Sequence, residues 1–210
     1  MTGRERLVAA ARGGETDQKA TLAWPCPEST ASDALIVADA DSVVADDERA
    51  VLVEVANPFG QALARDFDLN AALVADPDAP ALEEMVEATR TDLRNALDAG
   101  ADGVFYVLHG ARGKWCSPMQ YGGWYLERDR ELLQEIADAR LNVLFVVGED
   151  DTYLDFVSDL PAHVFAWDAN ATTQDSAAVR TMRAGAQASA DDRSEIRLVS
   201  PGPITPLLER

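Results

Sequence analysis

The feature that most constrains this chain is an alternation. Short runs of apolar, often β-branched residues recur between longer segments with helical periodicity. The predicted strands are Ala20–Trp24, Ala34–Val37, Ala50–Val55, Gly103–Leu108, Asn142–Val147, His163–Trp167 and Glu195–Val199. Each reads as a continuous apolar run rather than an in-out alternation, which is the pattern of strands covered on both faces. Between them, Leu82, Met85, Val86, Thr89, Leu93 and Leu97 recur at helical spacing, and a second helix is expected over residues 117–139. Ser117-Pro118 supplies its N-cap and first-turn proline. Strands alternating with helices imply a parallel sheet.

Seven strands are visible and Ser42–Val44 offers a stunted eighth, so a (β/α)8 barrel is expected. Such barrels typically take about 250 residues. This chain has 210, and the shortage is local: the first three strands crowd into residues 20–55, with almost no room for helices. The expectation is therefore one compact TIM-type barrel domain over residues 1–210, incomplete in its N-terminal half. Residues 186–194 are polar and read as a loop or a frayed helix end.

Charge narrows the function. Against 37 acidic side chains stand 18 basic ones, a net charge of −19, and only Lys19 and Lys114 are lysines. Such a surface repels phosphate backbones and anionic lipid, so neither a nucleic acid nor a membrane is an expected partner. No run approaches the roughly 18 apolar residues that cross a bilayer, and the N-terminus lacks a signal-peptide pattern. Cys26 and Cys116 have no metal-ligand spacing and suit a reducing interior, so the cytoplasm is the expected compartment. The acidity fits solubility, or a salty cytoplasm that screens self-repulsion.

Function in parallel sheets gathers at the C-terminal ends of strands. Those ends offer Asp39 and Asp41, then Asn57, then His109, then Glu149, Asp150 and Asp151, and finally Asp168. Convergent carboxylates can bind a cation or raise one another's pKa, although an Asp after a strand is commonly a helix cap. His109 closes an apolar strand and is the better-placed candidate; His163 opens one and reads as structural. Cys116 precedes a helix, which favours a thiolate, but an inert buried thiol is the simpler reading. A nucleophile elbow, a P-loop, a zinc-protease motif and a dinucleotide fingerprint are all absent.

The segment Leu97-Asp98-Ala99-Gly100-Ala101-Asp102-Gly103-Val104-Phe105-Tyr106 resembles a signature of the uroporphyrinogen decarboxylase family, whose superfamily includes the cobamide-dependent methyltransferases. Gln120–Trp124, Arg128–Leu133, Leu141–Gly148, Tyr153–Phe156, Pro161–His163 and Trp167-Asp168 follow in family order. Arg4–Gly13 resembles the opening helix, and Asn57–Gly60 with Asp76–Asp78 resembles the third βα unit. The likeness covers most of the chain and is strongest over residues 97–185.

The resemblance implies a barrel fold. It places Asp39 or Asp41 as the catalytic aspartate, and Asn57, His109, Arg112, Tyr121, Trp167 and Asp168 around a substrate. This chain also departs from the family. The arginine-rich loop that holds porphyrinogen carboxylates is missing. Phe145-Val146-Val147 stands where the methyltransferases carry zinc-binding His and Cys, and Pro203 stands where a final Cys or His is usual. No cofactor and no metal are therefore expected. The leading expectation is a metal-independent lyase acting on a tetrapyrrole or related small carboxylate. Two alternatives are a catalytically degenerate ligand- or partner-binding paralogue and a corrinoid-linked methyltransferase component. A homodimer is compatible with each.

Overall fold

The structure, a computed structural model, describes residues 1–26 and 31–208. In chain order these form α1 (Gly3–Ala11), β1 (Ala20–Ala23), β2 (Ala34–Val37), β3 (Ala50–Ala56), α2 (Pro58–Ala64), α3 (Leu69–Ala75), α4 (Pro80–Asp98), β4 (Gly103–Leu108), α5 (Pro118–Trp124) and α6 (Leu126–Glu135). There follow β5 (Val143–Val146), α7 (Leu154–Val157), β6 (Val164–Trp167), α8 (Ser176–Met182), β7 (Ala186–Ser189), β8 (Ile196–Val199) and α9 (Thr205–Leu208). All strand pairings are parallel, in the order β1-β8-β7-β6-β5-β4-β3-β2. The strands curl into a nearly closed (β/α)8 barrel.

The seam between β1 and β2 is sealed by side chains as well as backbone. Asp33 N–H donates to Thr21 O at 2.8 Å, and the Asp33 carboxylate accepts from Thr21 N–H at 2.7 Å. Ser32 Oγ accepts from Ala23 N–H at 3.1 Å. Asp33 also pairs with Arg6, which binds Asp17 at 2.7 Å, so α1 is tied across the floor of the barrel. Leu7 and Ala10 plug that floor.

Alternate side chains of each strand fill two cores. Leu22, Leu52, Phe105, Phe145, Val164, Ile196 and Leu198 pack inside the barrel. Val53, Val55, Tyr106, Leu144, Val146 and Phe165 face the helices, against Met85, Val86, Leu93, Leu132 and Leu133. Burial on both faces explains why the strands read as unbroken apolar runs.

Three expectations need correction. The eighth strand is β7, drawn from residues read as a polar loop; Ala186 and Ala188 face the interior, where only small side chains fit. Its polar residues are buried with partners: Gln187 N–H donates to Glu195 at 2.9 Å, and the Ser189 and Ser176 hydroxyls lie 3.3 Å apart. Ser42–Val44 is no strand, because Ala40–Ser42 turns as a short 3₁₀ helix. The helix expected over 117–139 is two, α5 and α6, broken at Tyr125, whose hydroxyl is held by Asn70 at 2.8 Å. Ser117 does cap α5, with Gln120 completing a capping box. Among the described residues the β1–β2 and β2–β3 connections carry no α-helix, and no helix is long and apolar enough to cross a membrane.

Candidate functional site

Inside the upper barrel, β3 turns one charged side chain into the apolar interior. Its neighbours Val53 and Val55 face outward and Leu52 faces in, so Glu54 points to the barrel axis by strand alternation. Its carboxylate accepts a hydrogen bond from Trp24 Nε1 at 2.7 Å. The indole in turn packs on Phe105 and Phe145, with ring centroids 4.7 and 5.0 Å away. Burial raises the Glu54 pKa above the ordinary carboxylate value, and the Trp24 bond offsets this only in part. The outcome is a half-buried carboxyl group on the β1–β3 side of the barrel interior, with its pKa raised.

Next to it, the turn after β4 is fixed by Asn57. The Asn57 Oδ1 accepts from His109 N–H at 3.0 Å and from Gly60 N–H at 3.0 Å, capping α2. Its Nδ2 donates to His109 O at 3.0 Å and to Asp129 at 3.3 Å. The His109 ring lies on the first turn of α2; a side chain at Gly60 would come within 2.7 Å of His109 Cδ2. Gly110 takes φ 92°, a conformation that turns the chain sharply and that glycine adopts without strain.

Behind this turn lies Asp129, fully buried on α6. The Tyr106 and Tyr121 hydroxyls each donate to its carboxylate at 2.7 Å. Burial lifts its pKa to about 6 despite those donors, and it drives both phenols well above their usual range. Cys116 donates its thiol to Gly110 O at 3.1 Å, and burial pushes its pKa up to about 11. That thiol is a packing group rather than a nucleophile.

Arg112 spans the loops after β4 and β5, meeting Asp151 at 2.8 Å and Glu149 at 2.7 Å. Asp168 holds the C-terminal segment over the β5–β6 side: its carboxylate accepts from Ile204 N–H at 2.5 Å and Thr205 N–H at 2.7 Å. Thr205 is locked to Gly148 by two hydrogen bonds of 3.0 and 2.9 Å, and Ile204 is buried against the barrel interior.

The remaining sequence candidates are spread out. Asp39 caps the 3₁₀ turn through Ser42 N–H at 2.9 Å. With Asp41, Val53, Val55 and Asp92 it lines a cavity of about 220 Å3 on the helix-facing side of β3, against α4. Tyr121 and Trp167 point away from the barrel axis, Tyr121 to Asp129 and Trp167 Nε1 to Gln174 O at 3.0 Å. His163 accepts from Asn142 N–H at 2.9 Å near the strand bases, in line with a structural role. The structure thus brings Asn57 and His109 together and sets Asp39 and Asp41 on the helix-facing side of β3, opposite the side on which Glu54 enters the barrel. Arg112 and Asp168 are engaged in pairing and anchoring.

Sequence reasoning missed Glu54 and Asp129. Glu54 was legible in principle, as the lone charge in Val51-Leu52-Val53-Glu54-Val55. Asp129 gave no such sign, because it sits in a charged helical stretch. Among the described residues no three His, Cys, Asp or Glu side chains converge as metal ligands. Val146 and Val147 are buried where the resemblance would have required zinc donors. The zinc site of the methyltransferase branch does not fit these residues.

No family model matches the chain, and no curated protein matches it. Among solved structures, a methyltransferase from Methanosarcina mazei is similar, with 12% sequence identity over 99% of this chain and 87% of the other, at a TM-score of 0.71. At that identity the likeness is one of fold, and it extends over nearly the whole barrel.

Proposed function

We propose that this chain is a shortened, divergent barrel of the uroporphyrinogen decarboxylase/cobamide methyltransferase-like superfamily, and that it works in methyl transfer linked to a corrinoid rather than in decarboxylation. Supporting this are the ordered sequence resemblance and the fold shared with a methyltransferase. Against a polycarboxylate substrate stands the pairing of Arg112 with Glu149 and Asp151, which leaves its charge neutralised at the mouth.

The observation that carries the reading is Glu54 beside Trp24. A methyl group leaves an oxygen, nitrogen or sulfur atom with the bonding electrons remaining on that atom. Protonating the atom makes it a better leaving group. A carboxyl whose pKa burial raises is a better-matched proton donor than an exposed one, and Trp24 Nε1 fixes its orientation. Asn57 holds the His109 turn against the same mouth, where it can position the substrate. Asp39 and Asp41 lie on the helix-facing side of β3 and take no part in this step.

Titrating the protein with a cobamide and following its absorbance tests this directly. Saturable spectral change with no decarboxylation of a porphyrinogen supports methyl transfer; porphyrinogen turnover without cobamide binding refutes it. A ligand-binding paralogue without turnover is the second reading, favoured by Ile204 and Asp168 closing part of the mouth.

A further inference from the structure

Away from the barrel axis, α2, α3 and the turn at Trp115 enclose a cavity of about 570 Å3, within the usual size range of small-molecule sites. Its walls are aromatic and apolar: Phe59 and Trp115 lie 5.7 Å apart at 59°, with Phe67 and Val74 beside them. Phe67 is 40% exposed and Val74 is 66% exposed, so this wall meets solvent with large apolar side chains. Asp66 and Asp68, both exposed, stand at the rim.

Each ligand class meets this lining differently. Anions are repelled by the two carboxylates and by a net charge of −19. A hydrated metal ion needs a shell of oxygen ligands, which an apolar wall does not provide. A cation with apolar substituents satisfies both parts, because aromatic faces attract positive charge and the substituents cover the apolar wall. The chain already shows that attraction: Lys114 Nζ sits 4.7 Å from the Trp115 ring centroid.

We propose that this cavity binds a small organic cation of the quaternary or alkylated ammonium class, held by Phe67 and Trp115 over a base formed by the buried Phe59, with Asp66 and Asp68 at its entrance. The site is independent of the reading of the barrel mouth. Lys114 lies outside the cavity lining, and its charge beside the Trp115 ring opposes a second cation there.

Amide and indole chemical shifts of the full chain, titrated with choline and with its uncharged carbon isostere dimethylbutanol, test the site. Choline should move the signals of residues 59–74 and of the Trp115 indole, and bind about fivefold or more tightly than the isostere. Lys114→Met should tighten choline binding by about twofold to threefold, and Asp66→Asn should weaken it by a similar factor. Both changes lie at exposed positions, and the same spectra report whether each variant is folded. Equal affinity for the isostere overturns the proposal, as do shifts confined to other regions or weaker choline binding by Lys114→Met.

Discussion

The Trp24 indole N–H and the Glu54 carboxylate meet at 2.7 Å inside the barrel, joining the end of β1 to β3 across the interior. The bond matters because it lies in an aromatic environment that penalises the charged carboxylate. Phe105 and Phe145, stacked with centroids 5.8 Å apart, form the other side of the Trp24 cluster.

Glu54 makes the fold sensitive to pH in a defined direction. Its folded pKa lies above the unfolded value, so its favourable contribution is complete below about pH 4 and is lost as pH rises through the folded pKa. Glu54→Gln stays neutral and keeps an acceptor for Trp24. Its unfolding midpoint should match the parent's near pH 4 and exceed it by about 2–4 °C near pH 7. Thermal unfolding followed by circular dichroism at both pH values checks this.

Asp129 should behave alike in sign but in its own window. Its stabilising contribution is present below about pH 4 and is lost as pH rises through about 6. Asp129→Asn should flatten the stability profile between those values. Asp129→Ala, which leaves the Tyr106 and Tyr121 hydroxyls without their acceptor, should cost about 3–5 kcal/mol in urea unfolding.

Barrel closure depends on Asp33. Asp33→Ala removes the acceptor of Thr21 N–H and leaves Arg6 buried with Asp17 as its remaining carboxylate partner. A loss of about 3–5 kcal/mol is expected. Hydrogen exchange should rise at Thr21 and Ala23 in β1 before it rises at β4 or β5.

The strands were legible because burial on both faces writes itself as an apolar run. Ala34–Val37 and Gly103–Leu108 match the sequence expectation residue for residue. β7 was not legible, since an interior position in a tight barrel selects small residues, and Ala-Gln-Ala-Ser carries no strand signature. The rule that function follows strand ends singled out Asn57 and His109, which the structure joins in one turn, and the Asp39–Asp41 turn, which it places on the helix-facing side of β3. It could not single out Glu54, which lies within β3 and enters the barrel by inward alternation rather than from a loop. Nor could it foresee that Asp168 would be taken by Ile204 and Thr205 from a segment 36 residues further along the chain. Long-range capture of a polar group leaves no local pattern.

The most direct test follows methyl transfer to a reduced cobamide by absorbance, offering methyl ethers, methylamines and methyl thioethers in turn. The parent protein should accelerate loss of the reduced form with at least one donor class. Glu54→Gln should lose about 100-fold or more of that rate while still binding the cobamide, as removal of a general acid requires. Equal rates for parent and Glu54→Gln with every donor, or porphyrinogen decarboxylation by the parent, would contradict Glu54 as the proton donor of a methyl-transfer barrel.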